Sequence, residues 1–138
     1  MEALGARLGR AAVGGAVFLS GELGSGKTTL VRGILRSQGH RAAVRSPSYT
    51  LIEAYELPSR RVYHFDLYRI ADPQELEALG VRDYFDGKSL CLVEWPERAA
   101  GRLWQPDVEI RIEYAGTARK VRLEAKTAIG CELSRGIG

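Results

Sequence analysis

The sequence predicts an α/β fold: a mixed, mostly parallel central sheet flanked by helices, with antiparallel hairpins. Three features predict it. A short apolar run bounded by glycines, Ala16 to Leu19, leads into the glycine-rich stretch Ser20 to Gly26 and then into a helical pattern from Lys27. Strands buried on both faces read as such unbroken runs, whereas half-wet strands alternate. A second run of this kind, "SLCLVEW" (Ser89 to Trp95), carries an acid at its end. Two further pairs of strand-like segments are separated only by short turns, as in hairpins.

The elements follow in order. Leu4, Leu8, Ala11 and Ala12 recur at helical spacing with Arg7 and Arg10 between them, which predicts an amphipathic helix ending near Gly14-Gly15. The buried strand and glycine stretch come next, then a helix through "KTTLVRGILRSQ" with Gly39 as its stop. "SPSYTLIEAYEL" (Ser46 to Leu57) and "RVYHFDLYR" (Arg61 to Arg69) read as a hairpin across a Pro-Ser-Arg-Arg turn. A helix begins near Asp72-Pro73, with an N-cap candidate, Pro at the first helical position and Glu residues in the first turns. After the second buried strand, "VEIRIEY" (Val108 to Tyr114) and "RKVRLEA" (Arg119 to Ala125) alternate apolar and charged residues about "AGTA", an antiparallel hairpin with one wet face. Residues 1–126 read as a single domain. Residues 127–138 carry no clear pattern and read as a C-terminal tail, consistent with disorder.

Composition bounds the function. The chain has 138 residues, 45% of them hydrophobic and 27% charged, in the size and composition range of one globular domain. No apolar run approaches the roughly 20 residues of a membrane span, and "MEALGARLGR" lacks the apolar core of a secretion signal. A cytoplasmic location, with no membrane partner, is expected. The net charge of +3 is mild and scattered, compatible with an RNA partner or with a plain solvated surface, and no DNA partner is expected. Cys91 and Cys131 stand far apart without ligand-spaced neighbours, so neither a disulfide framework nor a zinc site is indicated. Arg outnumbers Lys sixteen to four and Asn is absent, which fits heat adaptation or a biased genome.

The chemistry centres on Gly21-x-x-x-x-Gly26-Lys27-Thr28, between a predicted strand and a predicted helix. This is the phosphate-loop pattern in its confirming context, and it specifies a P-loop NTPase fold. Glycines let the backbone turn its N–H groups inward at the positive end of a helix; Lys27 offers a mobile charge to the β- and γ-phosphates, and the Thr28 hydroxyl can ligate magnesium. ATP or ADP with Mg²⁺ is therefore expected on Glu22, Leu23, Gly24, Ser25, Gly26, Lys27, Thr28 and Thr29. The competing reading is a glycine-rich turn of similar spelling.

Hydrolysis also needs an acid at the end of a neighbouring strand. Glu94 ends "SLCLVE" and Asp66 ends "VYHF", where Val62 and His64 alternate with Tyr63 and Phe65. Glu94 is expected on the metal side, and Asp66 to bind metal or orient the attacking water; the opposite division remains open. The catalytic set is thus Lys27, Asp66 and Glu94. Hydroxyls of "SPSYT", Ser48 among them, are candidate ligands of metal or γ-phosphate. Trp95 and Trp104 read by default as core or covering residues, and His64 as a hydrogen-bonded histidine within a sheet.

"GELGSGKTT", "SPSYTL", "HFDLYR", "ELEALG" and "VEWPE", in this order and spacing, resemble the TsaE family, from about Leu4 to Leu123. The resemblance implies a small ATPase of bacterial tRNA threonylcarbamoyladenosine biosynthesis. Such a protein acts on a TsaD–TsaB complex that modifies adenosine 37 of tRNAs reading ANN codons, and so is expected to meet tRNA indirectly, through that complex. It also implies that Lys27 and Thr28 bind nucleotide, that Asp66 and Glu94 are essential acids, and that Trp95 lies near the nucleotide. Two departures stand out. Ser48 replaces the usual Thr but keeps a hydroxyl; a Thr often found ahead of Leu4-Gly5 has no counterpart, implying weaker nucleotide binding or a start upstream of Met1.

Two rivals share the loop. A small-molecule or nucleotide kinase needs an acceptor pocket and a lid, for which little chain is left. A nucleotide-gated adaptor would order a surface on binding ATP and reset on hydrolysis. A GTPase is disfavoured, since the Asn-Lys-x-Asp guanine motif needs an Asn. Arg45 and Arg69 are the candidates for an arginine finger in cis, and turnover is expected to be slow alone and partner-stimulated.

Overall fold

A computed structural model describes residues 1–11, 14–44, 51–58, 60–99, 101–103 and 105–135. Expectations for Arg45, Ser46, Ser48, Trp104 and residues 136–138 lie outside them. The elements are α1 (Glu2–Ala11), β1 (Gly15–Gly21), α2 (Lys27–Ser37), β2 (Ile52–Glu56), β3 (Arg61–Asp66), α3 (Gln74–Ala78), β4 (Leu90–Glu94), β5 (Val108–Ala115), β6 (Ala118–Ala125) and α4 (Ala128–Arg135). The strands form one six-stranded sheet in the order β2-β3-β4-β1-β5-β6. The four central strands β3, β4, β1 and β5 are parallel, and each edge is closed by an antiparallel hairpin partner, β2 on β3 and β6 on β5. This is the mixed, mostly parallel sheet with hairpins that the sequence predicts, and the two unbroken apolar runs, β1 and β4, are its neighbours at the centre.

The pleat sorts the core into two layers. Val17 and Leu19 of β1, with Leu90 and Leu92 of β4, face Leu30, Val31, Ile34 and Leu35 of α2, while Leu8 of α1 joins the same cluster. Ala16, Phe18, Cys91 and Val93 face the other way, onto Phe65, Leu76 of α3 and Val81. Each fully buried leucine or isoleucine here contributes about 2 kcal/mol of transfer free energy, so the central strands are held from both sides and their C-terminal ends are fixed points for a site.

The tail is the main correction. Residues 128–135 form α4, and Leu133 is fully buried in the α1–α2 core layer. Thr127 caps the helix: its hydroxyl donates to Asp107 Oδ1 (2.6 Å) and accepts the Gly130 N–H (3.1 Å). Eight residues are too few for a helix that stands alone, so contact with the rest of the fold selects this one. The helix expected near Asp72-Pro73 is a short one, Gln74–Ala78, with Asp72 Oδ1 accepting the Gln74 N–H (2.9 Å). Among the described residues, no helix is long and apolar enough to cross a membrane.

Candidate active site

The glycine stretch joins the end of β1 to the start of α2. Gly26 ends it in the left-handed region (φ 116°), which lets the chain turn directly into the helix at Lys27. The loop is gripped from outside by the β5–β6 hairpin: Tyr114 Oη donates to the Leu23 carbonyl (2.7 Å) and Arg119 Nε to the Ser25 carbonyl (3.2 Å). Tyr114 and Arg119 are cross-strand partners, with the guanidinium 4.2 Å from the ring centroid. Gly24 (φ 76°) fits beneath the Tyr114 hydroxyl, which an added Cβ would meet at 3.0 Å. No sequence signal pointed to this grip.

Inside the loop lies a cavity of about 360 Å³, lined by Leu23, Gly24, Gly26, Lys27, Thr28 and Thr29 on one wall and by Asp66, Tyr68, Arg69, Glu94 and Trp95 on the other. Lys27 is 5% exposed. Its ammonium donates to the carbonyls of Gly21 and Glu22 and lies 4.3 Å from the centroid of the Trp95 ring. Burial lowers its pKa, and Glu94, Glu97 and Asp66 work against that shift. Trp95 is placed by its backbone: it leaves β4 in the left-handed region (φ 60°), a conformation costly for a bulky residue, and its N–H donates to Leu19 (3.3 Å). Tyr68 packs on the same ring, 4.9 Å away.

The two acids sit side by side because β3 and β4 are parallel neighbours with Asp66 in register with Glu94. Glu94 is buried (2% exposed), and the Thr28 hydroxyl reaches both of its oxygens, at 3.2 and 3.1 Å. On its other side the imidazole of His64 lies 2.5 Å from Glu94 Oε2. Asp66 accepts the Tyr68 N–H (3.0 Å), yet burial, more than Glu94 nearby, raises its pKa. Among the described residues no three His, Cys, Asp or Glu side chains converge as a metal cage. The oxygens present instead, a hydroxyl and two carboxylates beside an anion-binding loop, fit magnesium, which takes few protein ligands and completes its shell with water and phosphate.

Most of the expected site residues therefore meet at one cavity. Two do not line it. Glu22 faces a neighbouring cavity of about 450 Å³ with Ser20, Glu97 and Arg111, and Ser25 is buried within the loop, its hydroxyl without a partner among the described residues. His64, read from sequence as a hydrogen-bonded histidine within a sheet, has Glu94 as its partner, and Tyr68 lines the cavity without having been singled out.

Sheet order and glycine loop define an α/β protein of the P-loop NTPase fold class. The family model for the threonylcarbamoyl adenosine biosynthesis protein TsaE matches residues 1–122, and the chain belongs to the TsaE family. It is 51% identical over 114 residues to the Haemophilus influenzae protein named tRNA threonylcarbamoyladenosine biosynthesis protein TsaE, covering 83% of this chain and 72% of that one. A Bacillus subtilis protein of the same name is 40% identical over 103 residues, covering 75% of this chain and 64% of that protein, so the alignment spans less than two thirds of its length. The crystal structure of Bacillus subtilis YdiB superposes with a TM-score of 0.75 at 32% identity, over 97% of this chain and 86% of that one.

Proposed function

We propose that the chain binds ATP with magnesium in the loop cavity and hydrolyses it, slowly alone and faster on a TsaD–TsaB complex, in support of threonylcarbamoyl transfer to adenosine 37 of tRNA. The observation that carries the reading is the Thr28–Glu94 contact (3.1 and 3.2 Å) beside Lys27 and Asp66: a helix-start hydroxyl and a strand-end carboxylate meet where the loop's phosphate would lie.

Each residue has a task. Lys27 trades the carbonyls of Gly21 and Glu22 for phosphate oxygens, and Trp95, against its ammonium, narrows its range of positions. Thr28 and Glu94 are the residues that would hold magnesium, which when bound offsets charge on the β- and γ-phosphates. Asp66 lies one strand over, on the same face as Glu94 and pinned by the Tyr68 N–H. From there it orients the attacking water or adds a metal ligand. Of the two candidates for an arginine acting in cis, Arg69 lies among the described residues and lines the cavity.

The test is ATP turnover by the purified chain, alone and with TsaD–TsaB, beside Lys27→Ala. A Lys27-dependent rate raised by the complex is expected. ATP binding that the complex leaves unstimulated would refute the accessory role, and phosphate transfer to a small acceptor would favour a kinase. Binding that switches partner affinity without turnover would favour the adaptor.

A further inference from the structure

One buried side chain touching this site has no part in the reaction proposed above. His64 is 0% exposed, on the face of β3 that also presents Asp66, and its Nε2 lies 2.5 Å from Glu94 Oε2. A carboxylate only accepts, so the ring is the donor in this contact. His64 Nδ1 has no partner among the described residues. A ring that merely filled space would gain nothing from aiming its one engaged nitrogen at the single acid that the Thr28 hydroxyl also reaches.

The geometry has a mechanical consequence. Glu94 ends β4, and its carboxylate could otherwise turn about three side-chain bonds. The imidazole on β3 holds Oε2 from one side, and the Thr28 hydroxyl on α2 reaches both oxygens from the other. Both holders stand on regular elements fixed by the core. Partners that orient a metal-binding carboxylate in this way tune metal affinity without touching the metal.

We propose that His64 is a positioning residue: by donating from Nε2 to Glu94 Oε2 it fixes the carboxylate with both oxygens within reach of the Thr28 hydroxyl, and so sets the magnesium requirement of the site. This rests on the reading of Thr28 and Glu94 as the magnesium side of an ATP site, and it adds that the loop and its two acids are insufficient without the imidazole.

The test compares His64→Gln and His64→Leu in the full chain. Glutamine carries an N–H about as far out as Nε2, whereas leucine fills the space and donates nothing. Four quantities are read: thermal melting, ADP affinity in EDTA, ADP and ATP affinity as magnesium is added, and the half-saturating magnesium for turnover. The ring is also observed directly by nitrogen-15 NMR in wild type and Glu94→Gln, a readout needing neither metal nor activity and simplified because the chain has only two histidines.

In His64→Leu, the half-saturating magnesium is expected to rise by about 10- to 100-fold, with ADP affinity in EDTA changed less than about 2-fold. His64→Gln is expected to recover most of the loss, and Glu94→Gln to shift the His64 Nε2 resonance. A folded leucine variant with an unchanged magnesium requirement would overturn the proposal, as would a glutamine variant no better than leucine, or a ring resonance indifferent to Glu94→Gln. Should leucine prevent folding, a glutamine variant with wild-type magnesium dependence and a responsive ring resonance supports the proposal, and the converse pair overturns it. Absence of turnover in wild type would remove the ATPase reading alone; magnesium-dependent ADP affinity and the ring resonance would still decide the role of His64.

Discussion

Gly33→Ala tests how the helical layer holds the site. Gly33 of α2 and Gly5 of α1 let the two backbones touch: a Cβ on Gly33 would lie 2.1 Å from the Glu2 carbonyl oxygen and 3.0 Å from the Ala6 nitrogen, and a Cβ on Gly5 2.1 Å from the Leu30 carbonyl oxygen. Ordinary contact begins near 3.4 Å, so alanine at either position forces the helices apart by about 1 Å, and the obstruction is backbone that no rotamer change relieves. Overpacking costs about 3 kcal/mol at the upper end of its usual range, and the better helix propensity of alanine returns about 1 kcal/mol. The net expectation is a loss of about 2 kcal/mol, or a melting point lower by about 8 °C for a chain of this size. Urea unfolding followed by far-ultraviolet circular dichroism measures it. The double variant Gly5→Ala/Gly33→Ala should lose less than the two single losses together, because one separation relieves both clashes. A Gly33→Ala protein more stable than wild type by about 1 kcal/mol would refute the close approach of α1 and α2, since propensity alone would then have decided the outcome.

Three further outcomes are expected. Burial raises the Asp66 pKa above its ordinary 3.8, so folding favours the protonated acid: this contribution to stability is fully present below the unfolded value and is lost as pH rises through the folded one. Asp66→Asn should therefore melt higher than wild type at pH 7, by a margin that shrinks toward pH 3, while losing turnover; a lower melting point at pH 7 would contradict the assignment. Tyr114→Phe removes only the hydroxyl that holds the Leu23 carbonyl; losing one hydrogen bond, worth about 1 kcal/mol, should weaken ADP binding about 5-fold by calorimetry, and unchanged affinity would show that the hairpin does not shape the loop. Cys131 is exposed, whereas Cys91 is buried with its thiol pushed up to about 12, so a disulfide-exchange reagent at pH 8 should titrate one thiol in the folded chain and both in denaturant.

Local patterns and their physics carried much of this protein in the sequence alone. Unbroken apolar runs demand burial on both faces and so put β1 and β4 at the centre; alternation made β5 and β6 an antiparallel hairpin with one wet face. The spacing of Gly21, Gly26, Lys27 and Thr28 fixed the strand–loop–helix, because few other residues permit that backbone. Acids at the ends of two strands were legible as site candidates for the same local reason. What one strand end says to another was not. Only the parallel register of β3 on β4 brought Asp66 beside Glu94 and gave the hydrogen-bonded histidine expected at His64 its partner, that carboxylate. Only the approach of a hairpin some ninety residues later in the chain placed Tyr114 and Arg119 on the loop carbonyls. Helix α4 belongs to the same group: at eight residues it is too short to stand on local propensity, and it exists because Leu133 finds a core already built by α1, α2 and the sheet. Patterns fix elements through backbone geometry and burial, which act over a few residues, whereas the partners of a buried polar group depend on which elements the core brings together.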